Sequence, residues 1–133
     1  MSPPHIDHIG ILTRDLDAAI AMFTRLFGEG PARIMEMENE GLRIACFEAS
    51  NITIEFIQYT DDGPSSAKSV MGEGPGLNHM SAQVQDMGAA LGELEGAGFK
   101  LMEGFPSQGV HGPVAFFEPD EETGLLFEIC QRS

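Results

Sequence analysis

The chain has 133 residues, and 42% of them are hydrophobic, which is enough for one ordinary globular domain. Its net charge is −14, and its seven Lys and Arg residues are spread thinly, so we expect no nucleic-acid partner, because phosphate binding requires clustered basic residues. No apolar run of about 18 residues is present, so we expect no membrane span. Cys46 and Cys130 lie in apolar strand-like segments, which is typical of reduced thiols in a cytoplasmic protein.

The first half of the chain predicts a strand, a helix and three further strands. Residues 6–12 alternate as a strand does, and Asp15 or Asp17 then begins a helix that Gly28 ends. The three strand-like segments that follow are residues 32–38, 42–49 and 52–59.

The second half predicts the same order of elements. A connection with a short helical piece around residues 65–71 leads to a strand at residues 79–84, and Asp86 then begins a helix that Gly98 ends. The remaining predictions are a weak strand at 99–104, a loop at 105–112, and strands at 113–118 and 125–131.

The two halves are copies of one unit. His8 recurs as His79 after 71 positions (79 − 8), and Glu55 recurs as Glu128 after 73 positions (128 − 55). Such a repeat predicts two βαβββ modules in a single domain that spans residues 1–133. The modules are residues 5–60 and 77–131, and residues 61–76 join them. We therefore expect an α+β fold, in which a curved, mixed eight-stranded sheet surrounds a concave metal site and carries the helices on its convex side.

The four repeated residues, His8, Glu55, His79 and Glu128, are candidate metal ligands. Strand alternation places each of them opposite the apolar residues that face the helices, so all four should point to the concave side of the sheet. A buried Glu is costly unless it is paired or bound to a metal. Imidazole and carboxylate groups bind Co, Ni, Mn, Zn and Fe, so we predict one divalent ion per chain, whose identity stays open.

Two other residues are weaker candidates for substrate contacts. Lys68, in the connection between the modules, could meet a carboxylate or a phosphate. His111 lies in a Gly-rich loop and could line the mouth of the site.

The chain resembles the vicinal oxygen chelate superfamily, which includes glyoxalase I, bleomycin resistance proteins, extradiol dioxygenases and methylmalonyl-CoA epimerase. The resemblance is greatest to the epimerases and covers nearly the whole chain. It is carried by segments that include Ile6-Asp7-His8-Ile9-Gly10, Ile54-Glu55-Phe56, Gly76-Leu77-Asn78-His79 and Gly124-Leu125-Leu126-Phe127-Glu128. The resemblance implies the same four metal ligands, a small-molecule substrate that is an acyl-CoA or another thioester, and a homodimer.

The sequence departs from the epimerase pattern at three positions. Asn78 and Pro113 stand where the family usually has His and Lys. Ile44 stands where some epimerases carry a second catalytic Glu.

The resemblance implies a metal-dependent epimerase that removes a proton next to a thioester carbonyl, with Glu128 and Glu55 as the acid–base groups. Epimerisation also needs an acid–base group on the face of the substrate opposite to Glu128, and this group is Glu55, Glu48 or a water. The alternatives are a glyoxalase I-like lactoylglutathione lyase, an iron-dependent dioxygenase that uses His8, His79 and Glu128, and a ligand-sequestering protein of the bleomycin resistance type.

Overall fold

The structure is a computed structural model, and it describes residues 4–61, 63, 65–109 and 112–132. Within these residues the strands are β1 (His5–Leu12), β2 (Arg33–Met37), β3 (Leu42–Glu48), β4 (Thr53–Tyr59), β5 (Gly76–Gln83), β6 (Ser107–Gln108), β7 (Pro113–Phe117) and β8 (Leu126–Cys130). The α-helices are α1 (Leu16–Phe27), α2 (Ser66–Met71) and α3 (Met87–Gly96), and a short 3-10 helix, Glu38–Glu40, connects β2 to β3.

The eight strands form one mixed sheet in the order β2-β3-β4-β1-β5-β8-β7-β6. Two pairs of strands, β1 with β4 and β5 with β8, are parallel. The pairs β2–β3, β3–β4, β6–β7 and β7–β8 are antiparallel. Each half of the chain thus has the order βαβββ, which confirms the predicted α+β class with a mixed eight-stranded sheet.

The chain divides into two compact units, and each is described here by itself. One unit is residues 8–78, and the other combines the described residues of 1–7 with those of 79–133. Within the second unit, Arg132 Nε and Nη2 donate hydrogen bonds to the two carboxylate oxygens of Asp7 at 2.6 and 3.0 Å. Asp7 is only 8% exposed, and this bidentate ion pair fixes the N-terminal segment to the residues that follow β8.

In the unit of residues 8–78, apolar side chains pack on both faces of the strands. On one face, Ile54 and Phe56 of β4 pack with α1, as the alternation predicted; the buried members of this cluster are Leu16, Ala19, Ala45, Phe47 and Phe56. The opposite face carries a second cluster, whose buried members are Leu12, Leu42, Ile44, Cys46 and Ile57. Partly buried Met71 of α2 packs against this second cluster.

In the other unit, α3 packs on β7 and β8. The buried residues of this cluster are Val84, Met87, Ala90, Ala115, Phe117 and Ile129. Both cysteines are buried and free, which confirms the expectation of reduced thiols. No helix in the described parts of the chain is long and apolar enough to cross a membrane.

The first turns of α1 and α3 are capped in the same way. The Asp15 carboxylate accepts a hydrogen bond from the Ala18 N–H at 3.0 Å, and the Asp86 carboxylate accepts one from the Ala89 N–H at 3.1 Å. An aspartate at this position satisfies a backbone donor that has no partner inside the helix. Asp15, rather than Asp17, is therefore the cap of α1.

A second repeated contact joins the first residue of each helix to the Gln that follows the candidate Glu ligand by three positions. The side-chain oxygen of Gln58 accepts a hydrogen bond from the Leu16 N–H at 2.6 Å. The side-chain oxygen of Gln131 accepts one from the Met87 N–H at 2.7 Å. The repeat seen in the sequence thus extends to individual side-chain hydrogen bonds.

The segment that follows α3 differs from the sequence prediction. The predicted strand at residues 99–104 is reduced to an isolated bridge between Leu101 and Phe117, and β6 lies inside the predicted loop. Gly104 has a φ of 91°, which takes the backbone out of the extended conformation. Pro106 has no N–H to donate to a neighbouring strand. Pairing therefore resumes only at Ser107, opposite Val114.

We expect replacement of either cap to destabilise the fold by a similar amount. Asp15→Ala and Asp86→Ala should each lower the free energy of unfolding by about 1 kcal/mol, as measured by urea denaturation. Asp17→Ala is the matched control, because its side chain is 84% exposed and caps no helix, and its effect should stay within about 0.5 kcal/mol. Equal losses in all three variants would contradict the capping roles.

Candidate metal centre

β1 and β4 bring His8 and Glu55 to the same face. In this parallel pair, His8 lies beside Thr53, and Gly10 lies beside Glu55, so strand alternation gives the two side chains one orientation. His8 Nε2 and Glu55 Oε1 are 3.8 Å apart, and their side chains are only 10% and 14% exposed. This distance is too long for a hydrogen bond. It suits two ligands of one ion, because atoms about 2.1 Å from a shared metal lie about 3–4 Å apart.

β5 and β8 arrange His79 and Glu128 in the same manner. His79 lies beside Leu126, and Ser81 lies beside Glu128, so the His and the Glu again share a face. Both residues are 6% exposed. The His79 ring packs edge-on against Phe116, with ring centres 5.3 Å apart, and Phe116 is the register partner of Glu128. This half of the candidate site is therefore deeply buried beside an aromatic ring.

The two parallel strand pairs have equivalent registers. In each parallel pair, the Glu lies beside the residue that is two positions after the His. Each half thus presents one imidazole and one carboxylate from adjacent strands.

Both buried cysteine thiols lie on the faces of the candidate ligands and have raised pKa values. Burial, together with the negative charge of Glu55, raises the pKa of Cys46 to about 11. Burial, aided by the charges of Asp7 and Glu128, raises the pKa of Cys130 to about 12. Both thiols are therefore protonated at neutral pH.

Asp7 and Cys130 are a second pair of potential ligands, and their ligand atoms lie within 4.8 Å of each other. The two carboxylate oxygens of Asp7 already accept hydrogen bonds from Arg132. The ion pair with Arg132 therefore gives the Asp7 carboxylate a structural role.

Lys68 stabilises the connection between the modules through hydrogen bonds. Lys68 Nζ donates hydrogen bonds to the carbonyl oxygens of Asp61 and Gly63, both at 2.8 Å, and lies 5.4 Å from the centre of the Tyr59 ring. It also lines a cavity of about 330 Å³ together with Arg14. The other weak candidate, His111, lies outside the described residues.

Two positions near Glu55 bear on the identity of a second acid–base group. Ile44 is 5% exposed and belongs to the aliphatic cluster of β3 and β4. The exposed Glu48 accepts a hydrogen bond from the Thr53 hydroxyl at 3.1 Å, and Thr53 is the register partner of His8. Glu48 therefore lies on the face of the candidate ligands, as its parity with Ile44 in β3 predicts.

Arg33 was not among the candidates predicted from the sequence, although it shares this face. Arg33 pairs with Cys46 in the register of β2 and β3, and Cys46 pairs with Glu55 in the register of β3 and β4. Strand parity within β2 would have shown this face, because Met35 and Met37 have the parity of Arg33 and pack against the cluster that contains Ile44.

The chain is similar to known proteins over most of its length. The uncharacterized protein YqjC of Bacillus subtilis is 28% identical over 128 residues, which are 95% of this chain and 91% of that protein. An ethylmalonyl-CoA/methylmalonyl-CoA epimerase of Cereibacter sphaeroides is 28% identical over 130 residues, 95% of this chain and 96% of that protein. The crystal structure of methylmalonyl-CoA epimerase from Mycobacterium tuberculosis superposes with a TM-score of 0.81 and 25% identity, over 97% of this chain and 88% of that one.

These similarities confirm the resemblance seen in the sequence. The family model of the glyoxalase/bleomycin resistance protein/dioxygenase superfamily matches residues 7–116, which is most of the chain. The protein therefore belongs to the glyoxalase/bleomycin resistance protein/dioxygenase superfamily.

Proposed function

We propose that the protein is a metal-dependent isomerase that moves a proton next to the carbonyl of a thioester. A relative named as an ethylmalonyl-CoA/methylmalonyl-CoA epimerase supports this proposal. The observation that carries this proposal is the repeated pair of one buried His and one Glu on adjacent parallel strands. His8 is 8% exposed, and His79 and Glu128 are each 6% exposed. Imidazole and carboxylate groups are common metal ligands, which favours a functional role for this set.

We propose His8, Glu55, His79 and Glu128 as the ligands of one divalent ion. Two imidazole nitrogens and two carboxylate oxygens suit Co, Ni, Mn, Zn or Fe, and the 3.8 Å between His8 and Glu55 suits ligands of one ion. When bound, such an ion supplies positive charge that stabilises negative charge developing on a carbonyl oxygen.

Glu128 is proposed as the residue that takes the proton from the carbon next to the carbonyl. Its side chain shares a face with His79, and the ring of its register partner Phe116 helps to exclude water. A positioned carboxylate in a dry site transfers protons more effectively than one in water. Epimerisation also requires a proton donor on the opposite face of the substrate. The carboxylates of β3 and β4 that can serve there are Glu48 and Glu55.

A glyoxalase I-like proton shift is the second candidate. The observation that favours it is the buried aliphatic side chain of Ile44, which replaces an acid–base group of some epimerases. A shift of one proton between adjacent carbons requires only one carboxylate, and Glu128 supplies it.

The metal proposal predicts about one divalent ion per chain. Elemental analysis after loading with Co, Ni, Mn or Zn should show this stoichiometry for the wild type, and His8→Ala and His79→Ala should lose the ion. His5→Ala is the control, because His5 is exposed at the start of β1 and should leave the metal content unchanged. If the wild type takes up none of these ions, the metal proposal is wrong.

The reaction proposal predicts that methylmalonyl-CoA exchanges the hydrogen next to its thioester carbonyl with solvent. NMR in deuterated water with the metal-loaded protein measures this exchange directly. Absence of exchange with every metal, together with turnover of a glutathione hemithioacetal, would transfer the assignment to the glyoxalase I-like reaction.

Glu128 and Glu55 should contribute differently. Glu128→Gln should reduce the rate by a factor on the order of 10²–10⁴ even when it is fully metallated, because an amide cannot accept a proton. Glu55→Gln should keep the metal and substantial activity, because an amide oxygen still coordinates. Comparison of kcat at equal metal occupancy measures the difference, and a fully active Glu128→Gln beside an inactive Glu55→Gln would reverse the roles.

A further inference from the structure

We propose that Glu48 is the second acid–base residue of the site and that the Thr53 hydroxyl positions its carboxylate. This inference rests on the proposed function, because it assigns the proton donor that an epimerase requires opposite Glu128. Of the two carboxylates of β3 and β4 that share the face of His8, Glu55 serves as a ligand and Glu48 transfers the proton.

Glu48 borders the proposed ligands of its unit without being one of them. Thr53 of β4 is the register partner of His8 in β1 and of Glu48 in β3. Paired side chains project from the same face of a sheet, and strands about 4.8 Å apart place the Cα atoms of His8 and Glu48 about 10 Å from each other. Glu48 belongs to neither group of described residues whose potential ligand atoms lie within 4.8 Å of one another. Its carboxylate therefore stays available for a substrate held beside His8.

A buried hydroxyl holds the Glu48 carboxylate. Thr53 is only 5% exposed, and its hydroxyl donates a hydrogen bond to Glu48 Oε2 at 3.1 Å. In the described part of the chain the Glu48 side chain makes no further hydrogen bond or ion pair, which leaves Oε1 as the atom that carries the proton. Glu48 itself is exposed, so its carboxylate can exchange protons with water.

The environment of Cys46 agrees with this placement of Glu48. Burial is the main cause that raises the pKa of Cys46 to about 11, and the negative charges of Glu55 and Glu48 add to the rise. Cys46 is the register partner of Glu55 and precedes Glu48 by two positions in β3, so the three side chains share one face. The charge of Glu48 thus acts on the face of the candidate ligands.

Glu55 is the poorer choice for the second proton transfer, because it is proposed as a ligand. Its Oε1 lies 3.8 Å from His8 Nε2, as suits two ligands of one ion. Metals bind the ionised carboxylate, so protonation of a ligand removes it from the set. If Glu55 and Glu128 were the two acid–base groups, one of the four ligands would be protonated at every stage. With Glu48 as the second group, all four remain available whenever Glu48 carries the proton.

The two proton transfers balance in both directions. Glu128 takes the hydrogen from the carbon next to the thioester carbonyl as a proton, and the electron pair of the broken C–H bond forms an enolate. Protonated Glu48 then gives its proton to the opposite face of the same carbon, which forms the new C–H bond and restores the carbonyl. Glu128 is now protonated and Glu48 ionised. This state acts on the opposite epimer, and proton exchange with water interconverts the two states.

Glu48→Gln separates these two transfers. Each epimer of methylmalonyl-CoA is incubated with the metal-loaded protein in deuterated water, where NMR measures deuterium uptake and circular dichroism measures inversion. The wild type should invert both epimers. Glu48→Gln should invert them slower by a factor on the order of 10²–10⁴, because an amide neither gives nor takes the proton. The epimer whose hydrogen faces Glu128 should still take up deuterium, and the other epimer should not.

Glu36→Gln is the matched control for the loss of a strand carboxylate. Glu36 is exposed and accepts a hydrogen bond from Arg43, in the register row of Gln58 on the α1 side of the sheet, so this variant should invert both epimers at the wild-type rate. Inversion at the wild-type rate by Glu48→Gln would overturn the inference and leave the proposed function intact. An equal loss of exchange for both epimers would also overturn it, since it marks a structural effect.

Thr53 provides a second test that keeps the carboxylate. Thr53→Val preserves the shape of the side chain and removes the hydroxyl, so inversion should become about tenfold slower, the usual effect of losing a hydrogen bond to a charged group. Thr53→Ser retains the hydroxyl and should recover most of the rate. Elemental analysis should find the wild-type metal content in Glu48→Gln and in both Thr53 variants. A lower metal content, or a serine variant as slow as the valine variant, would contradict the positioning role.

Failure of the proposed function gives a different result. A wild-type protein that neither exchanges nor inverts either epimer, with any metal, would refute the epimerase reaction, and the role of Glu48 would fall with it. A wild-type protein that inverts both epimers beside an equally active Glu48→Gln would refute the role of Glu48 alone.

Discussion

The register of the two parallel strand pairs, β1 with β4 and β5 with β8, is the constraint on which the candidate site depends. Side chains alternate along a strand, so a shift by one residue would turn Glu55 or Glu128 toward the helix and an apolar neighbour toward the site. Two kinds of contact oppose such a shift. Ile54 and Phe56 pack against α1, and the side chain of Gln58 in the same strand accepts a hydrogen bond from the first N–H of α1. The second module has equivalent contacts, because Ile129 packs in the cluster of α3 and the Gln131 side chain accepts a hydrogen bond from the first N–H of that helix. Helix packing thus determines which way the two carboxylates point.

The sequence contained most of this arrangement because repetition and alternation are local patterns. The recurrence of His8 and Glu55 predicted the modules, and the parity of Ile54 and Phe56 predicted the face that meets α1. The segment after α3 could not be predicted in the same way. Phe99 and Leu101 have the composition of a strand, but pairing there depends on the path of the chain through Gly104 and Pro106. Arg33 was not predicted for a related reason. It is aligned with Glu55 through two successive register pairs, which the sequence of a single strand does not reveal.

Polar and apolar residues are segregated along the face that carries His8 and Glu55. One register row contains His8, Thr53 and Glu48, and the next contains Glu55, Cys46 and Arg33. The following rows are mainly aliphatic, with Leu12, Ile57 and Ile44 and then Leu42 and Met37. An aliphatic row beside the candidate ligands lowers the local dielectric and strengthens their interaction with charge. It also leaves the acid–base chemistry of this face to the two polar rows, which is why Glu48 and Glu55 are the carboxylates to test.

The repeat is broken at the residues directly before the two histidines, and the break explains how each His is held. Asp7 precedes His8 and forms the ion pair with Arg132, which fixes the backbone of β1 next to the candidate ligand. Asn78 precedes His79 and donates a hydrogen bond to the carbonyl oxygen of Met71 at 2.7 Å, which ties β5 to the end of α2. Lys68 of the same helix donates hydrogen bonds to the carbonyl oxygens of Asp61 and Gly63. Because α2 has no counterpart among the described residues of the second module, its contact with Asn78 requires an amide where the first module has a carboxylate. The departure from symmetry therefore follows from the different anchors that the two histidines need, while the face of the candidate ligands stays equivalent.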